Sequence, residues 1–215
     1  MTTETFNTEL AIPCQVGALE ARILYRENTA SCGVIICPPH PLLAGNMDNN
    51  VVQALAKTLC KHFPVLLFNY QGVGKSSSSE PDLPLFEFWD RLDASGDFSA
   101  IITDSHTVVN WSRKLFPQNH LIGYSFGALM AMHVAKKEQT ASLTAITPPL
   151  NAYDFSALHH LQTPVTLFLA EQDDLVQSGT FVQHHKIPVI TLSGTDHFFR
   201  TREKELAGLV QKTLA

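Results

Sequence analysis

Three short segments carry residue types that together could perform nucleophilic chemistry. Leu121–Leu129 reads L-I-G-Y-S-F-G-A-L and contains G-x-S-x-G at Gly123, Ser125 and Gly127. Leu167–Val176 reads L-F-L-A-E-Q-D-D-L-V, and Val189–Phe199 reads V-I-T-L-S-G-T-D-H-F-F. A serine hydroxyl becomes a useful nucleophile when an imidazole takes its proton, and the imidazole needs an acid that fixes its tautomer. The order Ser125, an aspartate near 173, then His197 leaves gaps of 48 and 24 residues between Ser125, Asp173 and His197. Such gaps suit successive strand–helix units.

With Gly and Ser each used at ~7%, the glycine–serine pattern arises by chance in roughly 7% of chains this long, so its context has to carry the argument. An apolar run ends at Gly123 and a helical pattern begins at Phe126. A sharp strand-to-helix turn would lift the serine hydroxyl above a sheet and aim the Phe126 N–H, at a helix N-terminus, into the same space. Glycines two residues either side remove Cβ atoms that would meet neighbouring backbone. For the orienting acid, Asp173 sits three residues past the strand and is preferred; Asp174, expected to cap a following helix, Glu171 and Asp196 are the alternatives. Among ten histidines, His197 alone follows the last strand. His133 reads as a core or boundary residue, and His62, His106, His120, His184 and His185 as surface or helix-end residues. His159–His160 has no cysteine or carboxylate at a ligand spacing, so no metal is expected.

The elements that must position these groups alternate. Leu10–Pro13 and Ala18–Tyr25 read as a leading hairpin. Gly33–Cys37 is continuous and β-branched, as in a strand buried on both faces. Val51, Val52, Leu55 and Leu59 repeat at helical spacing behind Asp48, a candidate N-cap. Strands at 65–70, 120–123, 143–146, 165–170 and 189–192 alternate with helices near 101–115, 126–137 and 200–215. This predicts a doubly wound, mostly parallel α/β sheet with a leading antiparallel hairpin, no large lid and a single domain over 1–215. Ligands of such sheets sit beyond the strands' carboxyl ends.

Composition narrows the function classes. Apolar residues make up 45% and charged residues 16% of the chain, which excludes a disordered polymer. A net charge of −5 disfavours nucleic-acid binding, where affinity comes largely from Lys and Arg. No run is long enough to span a membrane, no secretory leader is evident, and Cys14, Cys32, Cys37 and Cys60 read as buried free thiols, so a cytoplasmic location is expected. Gly74-Lys75-Ser76 invites a nucleotide-loop reading, but Asn69 stands where that motif needs glycine.

On these residues the chain resembles the α/β-hydrolase superfamily over nearly its whole length, and most of all the small lid-less bacterial serine hydrolases of dienelactone-hydrolase-like type. His40–Pro41 matches the family's turn after the third strand, and Asn69–Ser76 its glycine-rich turn after the next. The resemblance implies that the Leu42 backbone N–H joins that of Phe126 as an oxyanion-hole donor. No cofactor is expected, and the substrate is expected to be a small acyl compound; among ester, thioester, lactone and amide, esters are the default because their leaving groups need the least help. A hydrolase fold retained as a non-catalytic binding module is the alternative. In three places the sequence departs from the family: Pro39 replaces a frequent His, Ala44 a Gly and Gln71 an Arg. The brief segment Pro148–Gln162 leaves no room for a multi-helix lid, so short or medium acyl groups are expected. The stretch 77–96 carries Leu83, Leu85, Phe86, Phe88 and Trp89; it either packs on the domain's own surface or forms an acyl-contacting wall or dimer contact.

Overall fold

The computed structural model describes residues 4–27, 31–176 and 187–214. His184, His185 and the segment expected to form a helix after Asp174 lie outside the described residues. Eight strands form one sheet: β1 (Thr5–Cys14), β2 (Gly17–Arg26), β3 (Cys32–Cys37), β4 (Val65–Phe68), β5 (Gln118–Tyr124), β6 (Ser142–Ile146), β7 (Val165–Ala170) and β8 (Val189–Leu192), in the order β1-β2-β4-β3-β5-β6-β7-β8. The β1–β2 and β2–β4 pairs are antiparallel, and from β4 onward every pairing is parallel. Among the described residues the α-helices are α1 (Asn50–Leu59), α2 (Leu85–Ser95), α3 (Ser99–Ser112), α4 (Phe126–Lys137) and α5 (Glu203–Leu214).

Because both sheet faces are covered, the central strands are buried throughout: all four residues of β4 and five of six in β3. Alternate side chains feed two cores. One joins Ile35, Leu66 and Leu121 to α3, α4 and Trp89; the other joins Val34, Leu67 and Ile122 to α1 and α5. Chain order reverses between β3 and β5, which lie side by side with Cys37 opposite Gly123. That switch point brings the loop after β3 next to the loop after β5.

Several local expectations shift. The N-cap of α1 is Asn49, whose side chain accepts from the Val51 and Val52 amides, while Asp48 instead accepts from Arg22 at 2.7 Å. Leu115 lies beyond α3 and is exposed. All four cysteines are free; Cys37 and Cys60 are buried, Cys14 and Cys32 only partly. The 77–96 stretch is no open loop, since α2 occupies its second half with Phe88 and Trp89 facing inward and Phe86 outward. The Trp89 Nε1–H donates to the Gln71 carbonyl (3.1 Å), and the Gln71 side chain donates to Asp104 (2.6 Å) and accepts from the Ser79 amide (3.0 Å). Burial raises the pKa of Asp104 above the usual carboxylate value, and the bond from Gln71 partly offsets the rise.

Nor does the glycine-rich turn present its donors to a phosphate. The Lys75 amide and the Asn69 side chain both donate to the Glu20 carboxylate, and the Ser76 hydroxyl accepts from the Glu20 amide and donates to the Asn69 carbonyl. A nucleotide would have to displace all four bonds.

Trp89 thus supplies core volume and a backbone hydrogen bond, whereas Phe86 is mostly in water. Trp89→Ala is expected to cost about 3–5 kcal/mol and Phe86→Ala less than about 0.5 kcal/mol, read from urea unfolding midpoints at unchanged m.

Candidate active site

Ser125 occupies the junction of β5 and α4 at φ 54°, ψ −121°, a left-handed backbone that side chains rarely tolerate. The glycines around it explain how the turn closes. A Cβ on Gly123 would strike the backbone of Gly127 and Ala128 as α4 doubles back, and one on Gly127 would strike the Cys37 and Pro38 carbonyls at the exit of β3. The Ser125 amide is held by the Ile146 carbonyl of β6 at 2.9 Å.

From this turn the Ser125 hydroxyl meets His197 Nε2 at 2.9 Å, and His197 Nδ1 meets Asp173 Oδ2 at 2.7 Å. A carboxylate can only accept, so Nδ1 carries the proton and Nε2 accepts from the hydroxyl. All three residues are buried. The second oxygen of Asp173 accepts from the Leu175 amide at 2.9 Å, which fixes the carboxylate's rotation. Tyr124 stacks beside the imidazole, its ring 5.8 Å away, and its hydroxyl donates to the His197 carbonyl at 3.0 Å. The other acids are engaged elsewhere or face solvent. Glu171 accepts from the Gly194 amide, Asp196 from the Phe198 amide, and Asp174 is exposed. A row of hydroxyl, imidazole and carboxylate like this one can move a proton off the serine as it attacks an electrophile.

The His40–Leu43 turn lies alongside. The Phe126 amide opens α4, with no carbonyl one turn back to bond. The Leu42 amide is directed at His40 Nδ1 (3.3 Å), and His40 Nε2 donates to Asp93 (3.1 Å). No motif in the sequence marks Asp93; only the folding of α2 brings it to His40. Ala44 follows at φ 58°, the backbone that the glycine common at this place would adopt without strain. The Phe126 ring is ringed by His40, Phe98, Tyr70, Trp89 and Tyr153 at centroid distances of 5.0–5.9 Å. The turn and the aromatic core therefore hold each other.

A match to the model of the alpha/beta hydrolase fold covers residues 35–193. The chain belongs to the α/β-hydrolase family. A structure of an α/β serine hydrolase homologue from Coxiella burnetii superposes with a TM-score of 0.80 at 31% identity, over 97% of each chain. A serine hydrolase without a lid from Xanthomonas campestris gives 0.78 at 25%, over 96% of this chain and 92% of its own. An uncharacterised Rickettsia prowazekii protein is 28% identical over 92% of this chain and 84% of its own length. As in the Xanthomonas hydrolase, there is no large lid among the described residues. Among the described residues no group of His, Cys, Asp and Glu could hold a metal ion, and no helix is long and apolar enough to cross a membrane.

His62 is exposed and His133 half-buried, as expected, whereas His106 and His120 are only half-exposed rather than on the open surface. Burial lowers the pKa of His40, His106, His120 and His133 below the ordinary 6.5; His120 also contacts Ser142 Oγ at 2.7 Å. Below about 6.5 the unfolded chain takes up protons that the folded chain refuses, so stability present at neutral pH is lost as pH falls through the depressed values. Thermal melting followed by circular dichroism should show the Tm falling over that window, with a shallower fall for His133→Gln.

Proposed function

We propose that this α/β-hydrolase cleaves a carboxylic ester, or a thioester, of a small substrate through an acyl-enzyme formed on Ser125. The observation that carries the reading is the unbroken row Ser125 Oγ–His197 Nε2, His197 Nδ1–Asp173 Oδ2, at 2.9 and 2.7 Å, mounted on a strained turn. In this reading Ser125 Oγ attacks the acyl carbonyl while His197 takes its proton. The carbonyl oxygen becomes an oxyanion facing the Phe126 amide, with the Leu42 amide as second donor once it turns from His40 Nδ1. His197 then gives the proton to the leaving oxygen or sulfur, and the acyl group stays on Ser125. Water enters, His197 takes its proton, and the tetrahedral intermediate collapses to the acid and free Ser125. Asp173 remains ionised and stabilises the imidazolium. Serine-hydrolase descriptions of the Coxiella and Xanthomonas neighbours support the same reading.

Ser125→Ala is expected to abolish ester hydrolysis and fluorophosphonate labelling while leaving the melting temperature near that of the parent. More than a tenth of parental activity in that variant, or an unlabelled parent protein, would favour a binding module instead.

Asp173 and Asp174 are neighbours in sequence with different exposure and partners. Asp173→Asn leaves an amide that favours the wrong imidazole tautomer, and kcat should drop roughly 10³–10⁴-fold. Asp174→Asn removes the same charge from the surface, and turnover should stay near normal. Equal losses in steady-state kinetics would show that charge rather than the hydrogen bond to His197 is what matters.

A further inference from the structure

The cleft beside Ser125 has a volume of about 1030 Å³, far more than an acetyl group fills. Its floor is one face of α4: Ser125, Phe126, Leu129, Met132, His133 and Lys136 all line it, spaced by the threes and fours that share a helix side. At 1.5 Å per residue, the run from Ser125 to Lys136 is ~16 Å long. Ile102 of α3, and Tyr153 and Ala157 of the segment after β6, complete walls that are apolar through the middle.

Two features decide which part of a substrate this channel could take. The leaving atom must lie where His197 Nε2 can protonate it. The channel starts at Ser125 and follows α4 through Phe126 and Leu129 to Lys136, with Leu175 beside Asp173 also lining it. An acyl chain laid along α4 leaves the His197 side of Ser125 to the leaving group. Its charges do not favour an anionic chain: Asp93, Asp97 and Asp154 line it against the single lysine, Lys136, which lies within electrostatic reach of Asp154. His40 and His133, the other groups able to carry positive charge there, are held toward their neutral forms by burial.

We propose that the face of α4 is an acyl-chain channel, that the substrates are esters or thioesters of uncharged, elongated acyl groups, and that Ile102 and Ala157 set the usable chain length. This rests on Ser125 acting as the nucleophile. It extends the short or medium acyl groups expected from the missing lid to longer chains, because the space lies along the helix rather than under a cover.

The test varies the two halves of the ester separately. For p-nitrophenyl acetate, octanoate and dodecanoate, kcat/KM should rise by about tenfold or more from acetyl to octanoyl. Ala157→Trp and Ile102→Trp should each erase most of that ratio. Lengthening the alcohol of acetate esters should leave the parent and both variants in the same proportion. A flat acyl series, or tryptophan variants that discriminate by alcohol length, would overturn the proposal. A second measurement does not require turnover: methyl octanoate should raise the Tm of Ser125→Ala protein, methyl acetate should not, and adding Ala157→Trp should remove the shift. If no ester is hydrolysed yet that shift is seen and is lost with Ala157→Trp, the channel stands and the nucleophile assignment falls. If methyl octanoate gives no shift, the channel itself is overturned.

Discussion

The close approach of α4 to β3 and β5 is the constraint on which the rest of the site depends. The chain leaves β5, reverses at Ser125 and enters a helix whose first turn touches the carbonyls of Cys37 and Pro38. Only glycine at 123 and 127 leaves room for that approach. Tyr70 bonds the Pro38 carbonyl from the far side at 3.0 Å, and the Phe126 ring anchors the helix start among aromatics. A left-handed serine costs of order 1–3 kcal/mol, and this surrounding packing holds it in place. Core and site therefore cannot be separated here: the side chains that fill the space under α4 also hold the hydroxyl in position.

His197 and Asp173 reach the same point by a different route. Asp173 and His197 follow β7 and β8, the two strands at one end of the sheet, and bonds from the Leu175 amide and Tyr124 fix their orientation. Asp173 is anchored by its own loop, and His197 by the side chain next to Ser125. Burial also acts on groups outside the row. It pushes the Cys37 thiol up to about 12, which keeps a potential competing nucleophile at the exit of β3 protonated and inert at neutral pH.

Most of the sheet and the row itself were legible because both depend on short-range patterns. Continuous β-branched runs mark buried parallel strands, and the glycines around Ser125 are demanded by sterics that act within four residues. Asp173 stood out over Asp174 because the turn after β7 aims only one of the two inward. What stayed hidden depended on tertiary placement. Leu85, Phe88, Trp89 and Leu92 have helical spacing, yet the surrounding serines, prolines and acids masked the helix, and with it the arrival of Asp93 at His40. Asp48 and Asn49 are both competent caps, and Arg22, distant in sequence, engages Asp48. The cleft along α4 was the least legible feature, since it exists only once α3, α4 and the segment after β6 are brought together.

Ile102 and Ala157 line the cleft from α3 and from the segment after β6, outside the ring of aromatics that holds Phe126. Their side chains can change while Gly123, Ser125, Gly127, Asp173 and His197 stay fixed. Under the proposed reading, substrate range and bond-breaking rest on separable parts of the chain, so side chains along one helix face can vary while the row at Ser125 stays in place. Relatives at 25–31% identity that keep the same backbone over nearly their full length have the latitude that such a division provides.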